Sequence, residues 1–419
     1  MEQVQLPNEK RFLGWGRYEF SVVVWFFLAW GFVFLDRLTI SFLAPAVMGD
    51  LGINLTQFGL IGTATTGCFA VSSILFGFLS DRSGVRKKWL IPFVLGAAIF
   101  SACGALTNSF GSLIVTRALV GFCEGPIIPL IMAIVAKEST PSRLALNAGI
   151  VNTGVAVIAV AIGPIFTTQI AAAGDWRLAF LVASIPTFVL GLLMMKFIRE
   201  VKYENVAGQE KASFGAMLKY RNVLLCLLIG ICTLAGYWTL MLYASLFFST
   251  VGGRELTSVG FILGMMGILC IVWTIVVPKL SDAIGRKPAL VIWFALCSLA
   301  PFAMFGAPTS FTAVIIYCLV AGIPGSITPL YYSVIPAETL PPYMIGAAGG
   351  MINGIGEILG GSAWVAVSGQ IAAKSGLPTV MLFAGIFFLL GLIFSLMLKE
   401  TYGKEKRQAL KEAKKAAAR

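Results

Sequence analysis

Histidine is absent from the 419 residues. That removes histidine proton relays, His-ligated metal sites and Ser-His-Asp catalysis, so a proton carrier here has to be a carboxylate or something less common. Charge is also scarce. Only 12% of residues are Asp, Glu, Lys or Arg while 58% are hydrophobic, against about 25% charged in soluble domains. Such a chain cannot cover a water-soluble globule. The eight cysteines (68, 103, 123, 226, 232, 270, 297 and 318) all lie in apolar runs and none forms a CxxC pair; they read as small buried apolar side chains. No metal-ligand cluster is present, and no Gly-rich loop ends in Lys-Ser/Thr to cradle a phosphate, which argues against ATP as a driving force. No soluble output domain accompanies the apolar runs. A membrane enzyme or sensor is therefore the remote alternative, and neither cofactor nor metal is expected.

What the chain has is about twelve continuously apolar runs of the length a spanning helix needs, about 20 residues. They lack the short alternation of a β-barrel. The expectation is an all-α membrane protein of twelve transmembrane helices. All but five of the 31 Lys and Arg fall on one side or at its helix ends, the exceptions being Arg37, Arg117, Arg177, Arg254 and Lys374. That asymmetry is the positive-inside signal and predicts both termini in the cytoplasm. The net charge of +12 is then explained by topology and attraction to the lipid bilayer rather than by nucleic acid. No cleavable signal peptide is expected from the polar segment 1–19 and the long run after it. The compact loops suggest a bacterial inner (plasma) membrane, and nothing calls for more than a monomer.

The longest polar interruption divides the chain into a six-helix bundle at 1–199, a central cytoplasmic loop at 200–221, a second six-helix bundle at 222–398 and a cytoplasmic tail at 399–419. The two halves echo each other at an offset of about 200: Ser80-Asp81 with Gly84 and Ser281-Asp282 with Gly285; Gly125, Pro129, Leu130 and Gly325, Pro329, Leu330; Glu138, Pro141 and Glu338, Pro341; Gly149, Asn152, Gly154 and Gly350, Asn353, Gly356; Gln169-Ile-Ala-Ala and Gln370-Ile-Ala-Ala. An even number of spans per half gives both repeats the same orientation. Parallel repeats with a site at their interface are a transporter architecture.

Five ionisable residues lie inside spans: Asp36, Arg37, Arg117, Glu124 and Glu357. Charges at such depth cost about 2.5–3.5 kcal/mol each and are retained beside partners or water-filled paths. Arg117 and Glu124 are seven residues apart, on nearly one helix face. At 1.5 Å per residue, Asp36 falls between them in depth. Asp36 is therefore expected to pair with Arg117. Glu124, at mid-membrane, has no obvious neutralising partner and is the carboxylate expected to take a proton more readily. Arg37, about 100° around the helix from Asp36, offers a planar, permanently charged fork for a substrate carboxylate. Glu357 has no acidic counterpart in the first half. It either contributes to coupling, a cation site or substrate choice, or hydrogen-bonds to a neighbouring helix. Asn152 and Asn353 line a cavity or bridge helices. Tyr237 is the preferred aromatic lining residue, ahead of Trp238, Tyr243, Tyr331, Tyr332 and Trp364, because span 7 faces span 1. Gly149, Gly154 and Gly163 read as close helix packing.

GFLSDRSGVRKK at 77–88 and its weaker copy PKLSDAIGRKP at 278–288 resemble the signature loop of the major facilitator superfamily. RALVGFCEGPIIP at 117–129 and the dipeptide Asp36-Arg37 resemble the branch of that family that couples organic anions to cations. The resemblance implies two pseudo-symmetric six-helix bundles, proton coupling through the matching acidic residues, and an interhelical latch at Asp81, Arg82, Gly84 and Arg86 that favours one access state. It implies proton-coupled symport of a small organic anion by alternating access, with a uniporter, antiporter or exporter as the alternative. Two departures bear on the substrate. Members of that branch carrying sugar acids have Tyr two residues before Asp-Arg, where this chain has Phe34. Span 7 also lacks their Trp-Leu-Pro. Both point to a smaller or less hydroxylated carboxylate.

Overall fold

The computed structural model describes residues 11–12, 15–200 and 214–403, apart from the side chains of 11–12, Trp15, Phe78, Asp81 and Pro342. The expected central loop and tail thus lie largely outside the described residues. Among the described residues, eleven helices are long and apolar enough to cross a membrane: Arg17–Phe42, Leu55–Gly77, Lys87–Leu106, Phe110–Glu138, Leu144–Ala173, Trp176–Phe197, Arg221–Val251, Leu256–Ile284, Arg286–Gly306, Phe311–Thr339 and Leu377–Met397. These are spans 1–10 and 12. Span 11 runs through Pro342–Gly356, Glu357–Ala363 and Trp364–Ser375. It falls short on apolarity because its middle is rich in glycine and carries Glu357.

The chain punctuates these helices with ordinary capping chemistry. Asn54 accepts from Gln57 N at 2.9 Å while Gln57 Oε1 accepts from Asn54 N at 3.0 Å, a reciprocal box that starts span 2. Span 2 ends where Gly84 takes φ +68°, a left-handed cap that glycine adopts without steric cost. Ser109 and Asp175 cap spans 4 and 6. Spans 5 and 11 each contain a π-helical segment, Val155–Ile162 and Glu357–Ala363, while those of spans 7 and 10, Phe247–Val251 and Leu330–Val334, have no counterpart among the described residues of the first half.

Packing repeats as well. Span 2 lies on 4, 3 on 6, 1 on 5 and 6; span 8 lies on 10, 9 on 12, 7 on 11 and 12. Each half closes its third span with an acidic residue from the end of its last. Glu200 accepts from the backbone N–H groups of Arg86, Lys87 and Lys88 at 2.9–3.0 Å. Glu400 accepts from Arg286 and Lys287 at 2.9 and 3.1 Å. A carboxylate at a helix N-terminus meets unpaired donors and the positive end of the dipole. The two glutamates sit at the same offset of 200 as the other repeated residues, yet they are not among the matches that drew attention in the sequence.

The two halves meet through span 1 on 7, span 2 on 11 and span 5 on 8. These contacts lie toward the end of the bundle opposite Arg86 and Arg286. There Ser245 Oγ donates to Phe42 O at 2.6 Å, and Thr66 Oγ1 donates to Gly361 O at 3.0 Å. Gly260 and Gly267 of span 8 let span 5 approach so closely that a Cβ would strike Thr168 and the Val160 backbone. Small residues at such interfaces are how helices associate without a hydrophobic driving force. Of the glycines expected to serve packing, Gly154 abuts Phe27 O and Gly163 meets Leu35, whereas Gly149 faces open space. At the basic end, Ile127–Glu138 and Ile335–Thr339 make their substantial contacts within their own halves.

Gly267→Val forces span 8 off span 5, and overpacking of this kind costs about 1–3 kcal/mol. Thermal unfolding of the purified variant is expected several degrees below wild type, with Gly149→Ala unchanged.

Candidate functional site

The charged residues pair differently from expectation. Asp36 is fully buried, and its carboxylate accepts from Ser101 Oγ at 3.0 Å and Thr187 Oγ1 at 2.7 Å. Arg117 does not reach that carboxylate. Its guanidinium donates to the backbone carbonyls of Asp36 (3.4 Å), Ser101 (3.3 Å) and Phe100 (3.5 Å) and lies 4.9 Å from the Phe180 ring. It fits there because residue 104 is glycine; a Cβ would stand 2.7 Å from Arg117 Nη2. Asp36 and Arg117 thus tie spans 1, 3, 4 and 6 together inside the first half. Depth alone predicted an ion pair, but two hydroxyls at the right height satisfy the aspartate, and carbonyls near the end of span 3 take the arginine.

Glu124, expected to stand alone, is the residue that faces a cation. Arg37 Nε lies 4.0 Å from Glu124 Oε2, and their side chains are 3% and 1% exposed. Neither Glu124 oxygen accepts a hydrogen bond, and Arg37 Nη2 donates none. Two buried charges held at this distance with unused donors and acceptors are costly to leave so. Arg37 is flanked by aromatic rings: its guanidinium carbon lies 4.4 Å from both the Phe69 and Trp238 centroids and 5.6 Å from Phe34. Ring faces attract a desolvated cation by about 2 kcal/mol.

Trp238 carries this constellation into the second half. Its Nε1 donates to Glu357 Oε2 at 3.0 Å. Of the alternatives for Glu357, the structure shows the hydrogen bond to a neighbouring helix, and it ends on a ring that touches Arg37. Trp238 is one of the five aromatics the sequence offered behind Tyr237. Tyr237, the preferred residue, points its hydroxyl toward Gly325 of span 10 within the second half. A single 100° step along span 7 separates the two, which apolar sequence alone does not resolve.

Asn353 is half-buried on span 11 beside Glu357. Asn152 is exposed and donates to Ala148 O at 3.0 Å. It lies two residues from Gly154, which packs on Phe27, ten residues or about 15 Å along span 1 from Arg37. The structure does not bring Asn152 to the Arg37 level.

The signature loop forms ties inside each half. Arg86 Nη1 donates to Ser80 Oγ at 2.7 Å. Arg286, its counterpart, meets Asp282 at 2.6 Å, Glu338 at 2.9 Å and Ser281 Oγ at 3.1 Å. Arg82 is exposed, Gly84 supplies the turn, and the side chain of Asp81 lies outside the described residues.

Twelve membrane-length helices in two like-oriented sets, with a buried ion pair where the sets meet, are the architecture of a secondary transporter. The Major Facilitator Superfamily model matches residues 26–365, and the chain belongs to that family. It is a multi-pass membrane transporter and not an enzyme. It is 32% identical to a hexuronate transporter of Bacillus subtilis (strain 168) over 185 residues, 44% of this chain and 43% of that one. It is 26% identical to a putative tartrate transporter of Agrobacterium vitis over 405 residues, 89% and 87% of the two chains. Among solved structures it superimposes with a TM-score of 0.76 on a bacterial homolog of the human lysosomal transporter Spinster, in an inward-facing and unoccupied conformation. That match has 16% identity and covers 92% of this chain and 97% of the other.

Removing one member of a buried ion pair leaves the other uncompensated, at about 3–5 kcal/mol. Arg37→Met is expected to lower stability by about that much, and Arg37→Met with Glu124→Gln to recover most of the loss. Thermal unfolding of wild type, Arg37→Met, Glu124→Gln and the double variant measures the coupling.

Proposed function

We propose that the protein is a proton-coupled symporter of a small carboxylate, working by alternating access. The observation that carries this reading is the Arg37–Glu124 pair at 4.0 Å, buried and short of hydrogen-bond partners. Arg37 cannot lose its charge. An anion arriving on Arg37 displaces Glu124 as the counter-charge and leaves one negative charge in excess. A proton arriving alone on Glu124 leaves Arg37 in excess. Empty, or with both ligands bound, the site is neutral. Isolated charges in a low-dielectric interior cost several kcal/mol, so each ligand favours the other. Relatives named for hexuronate, galacturonate and tartrate support an organic acid as cargo.

Asp36 and Arg117 act in this reading by holding span 1 against spans 3, 4 and 6, so that Arg37 faces the second half. Glu357 acts in this reading through Trp238. The ties at Ser80–Arg86 and Ser281–Asp282–Arg286–Glu338 keep each half rigid while the halves rock. With the basic end in the cytoplasm of a bacterial cell, both termini are cytoplasmic and the packed end is external, which makes this arrangement inward-facing. The working unit is a monomer in the inner membrane.

Glu124→Gln separates exchange from accumulation. In proteoliposomes the variant is expected to exchange internal for external substrate but to lose uptake driven by a pH gradient, falling to the level of liposomes without protein. Accumulation that persists in Glu124→Gln rules out Glu124 as the proton carrier.

A further inference from the structure

We infer that the cargo is a carboxylate with a flat, apolar body, aryl or unsaturated and without hydroxyls, whose head group enters a recess beside Arg37. The inference rests on the reading that Arg37 receives the substrate's carboxylate, and it takes that reading to a chemical class. A cavity of about 30 Å³ lies between the halves, with Arg37, Ser41, Thr65, Thr66 and Trp238 in its lining. A water needs about 10–15 Å³ measured this way. The recess therefore accepts two groups of that size, such as the two oxygens of a carboxylate, and leaves any ring outside it. Arg37, whose Nη2 is a buried donor with no partner, is among the lining residues.

Aromatic rings select the body of the substrate behind its head group. Phe69 and Trp238 each stand 4.4 Å from the guanidinium, Phe34 stands 5.6 Å from it, and Phe34 and Trp238 are stacked at 6.3 Å. Of these rings Trp238 also lines the recess, with Leu38, Ile40, Leu242 and Val365, so a carboxylate held there has its carbon body against an indole and aliphatic side chains. Three of the polar groups around Arg37 already donate elsewhere, and among the hydroxyls lining the recess Ser41 is left for the substrate. Trp238 Nε1 donates to Glu357. Thr65 Oγ1 donates to Ile61 O at 2.9 Å, and Thr66 Oγ1 to Gly62 O at 2.7 Å with Gly361 O at 3.0 Å. A flat apolar body suits ring faces, while each substrate hydroxyl taken from water without a partner is penalised. A hydrophobic site discriminates by about 100-fold against one added hydroxyl, and a sugar acid carries several.

The test is ligand-induced thermal stabilisation of the purified full-length protein, with tryptophan fluorescence as a second readout. Ligands are benzoate, cinnamate, galacturonate, tartrate and the uncharged benzamide. Benzoate and cinnamate are expected to stabilise at concentrations at least ~100-fold below those needed for galacturonate or tartrate, and benzamide not at all. Trp238→Leu is expected to weaken benzoate at least about tenfold, with Trp238→Phe keeping most of the affinity and controlling for loss of fold. Tighter binding of galacturonate or tartrate than of benzoate overturns the class and leaves the carboxylate reading standing. Equal binding of benzoate and benzamide, or binding of none of the acids, overturns the role of Arg37 and the inference with it.

Discussion

The ion pair between Arg37 and Glu124 sets the terms for the rest of this molecule. Both side chains are taken almost wholly from solvent, yet they meet only at 4.0 Å. A shorter, bidentate contact would make a stable structural bridge with little reason to open. The observed separation keeps the two charges within mutual attraction while leaving Arg37 Nη2 and both glutamate oxygens unspent. A pair so arranged is neutral as a unit and poorly satisfied as individuals. That is the condition under which a second anion and a proton can replace one another's partners without exposing a bare charge.

Holding such a pair requires a rigid frame behind it. Asp36 and Arg37 are adjacent, so they leave span 1 in directions about 100° apart. Asp36 is pinned inward by Ser101 and Thr187, from spans 3 and 6, and Arg117 grips its backbone carbonyl. The neighbouring Arg37 is thereby fixed toward span 7. Glycine makes the frame compact: Gly121 brings span 4 onto the Thr65 backbone and Gly154 brings span 5 onto Phe27. Without those contacts Glu124 would not stand at the height of Arg37.

Much of this was legible in the sequence, for identifiable reasons. Membrane length and apolarity are properties of each span taken singly, so the twelve helices and their ends were readable, as was the internal repeat. The buried ionisable residues stood out because charge in an apolar run is expensive. Which of them meet was not legible. Axial rise gives depth, and depth placed Asp36 between Arg117 and Glu124, but pairing also depends on the helix rotations set by glycines and by serine or threonine partners on other spans. Ser101 and Thr187 carry no signal of their own in apolar sequence. The exchange of Tyr237 for Trp238 has the same origin, one residue of helical phase. Glu200 and Glu400 could have been found, since they sit at the repeat offset; they were hidden by lying at the edge of loops rather than within spans.

Span 11 joins the charge site to the contacts that hold the halves together. Its π-helical segment begins at Glu357, which accepts from Trp238, and reaches Gly361 and Ser362. The wider turn of a π segment displaces backbone carbonyls from the regular ladder. Here two of them accept from the other half, Gly361 O from Thr66 at 3.0 Å and Ser362 O from Thr63 at 3.2 Å, while Ser362 Oγ returns a bond to Thr63 O at 3.2 Å. One indole therefore touches the cation of the first half with its face and the start of the bonded segment with its edge. Trp238 cannot tilt to admit a ligand at Arg37 without moving or releasing Glu357, and Glu357 sits one helical turn from the carbonyls that fasten span 11 to span 2. The ring beside Arg37 and the bonds that fasten span 11 to span 2 are thus joined through contiguous contacts, and the π-helical backbone of span 11 is what makes that connection short.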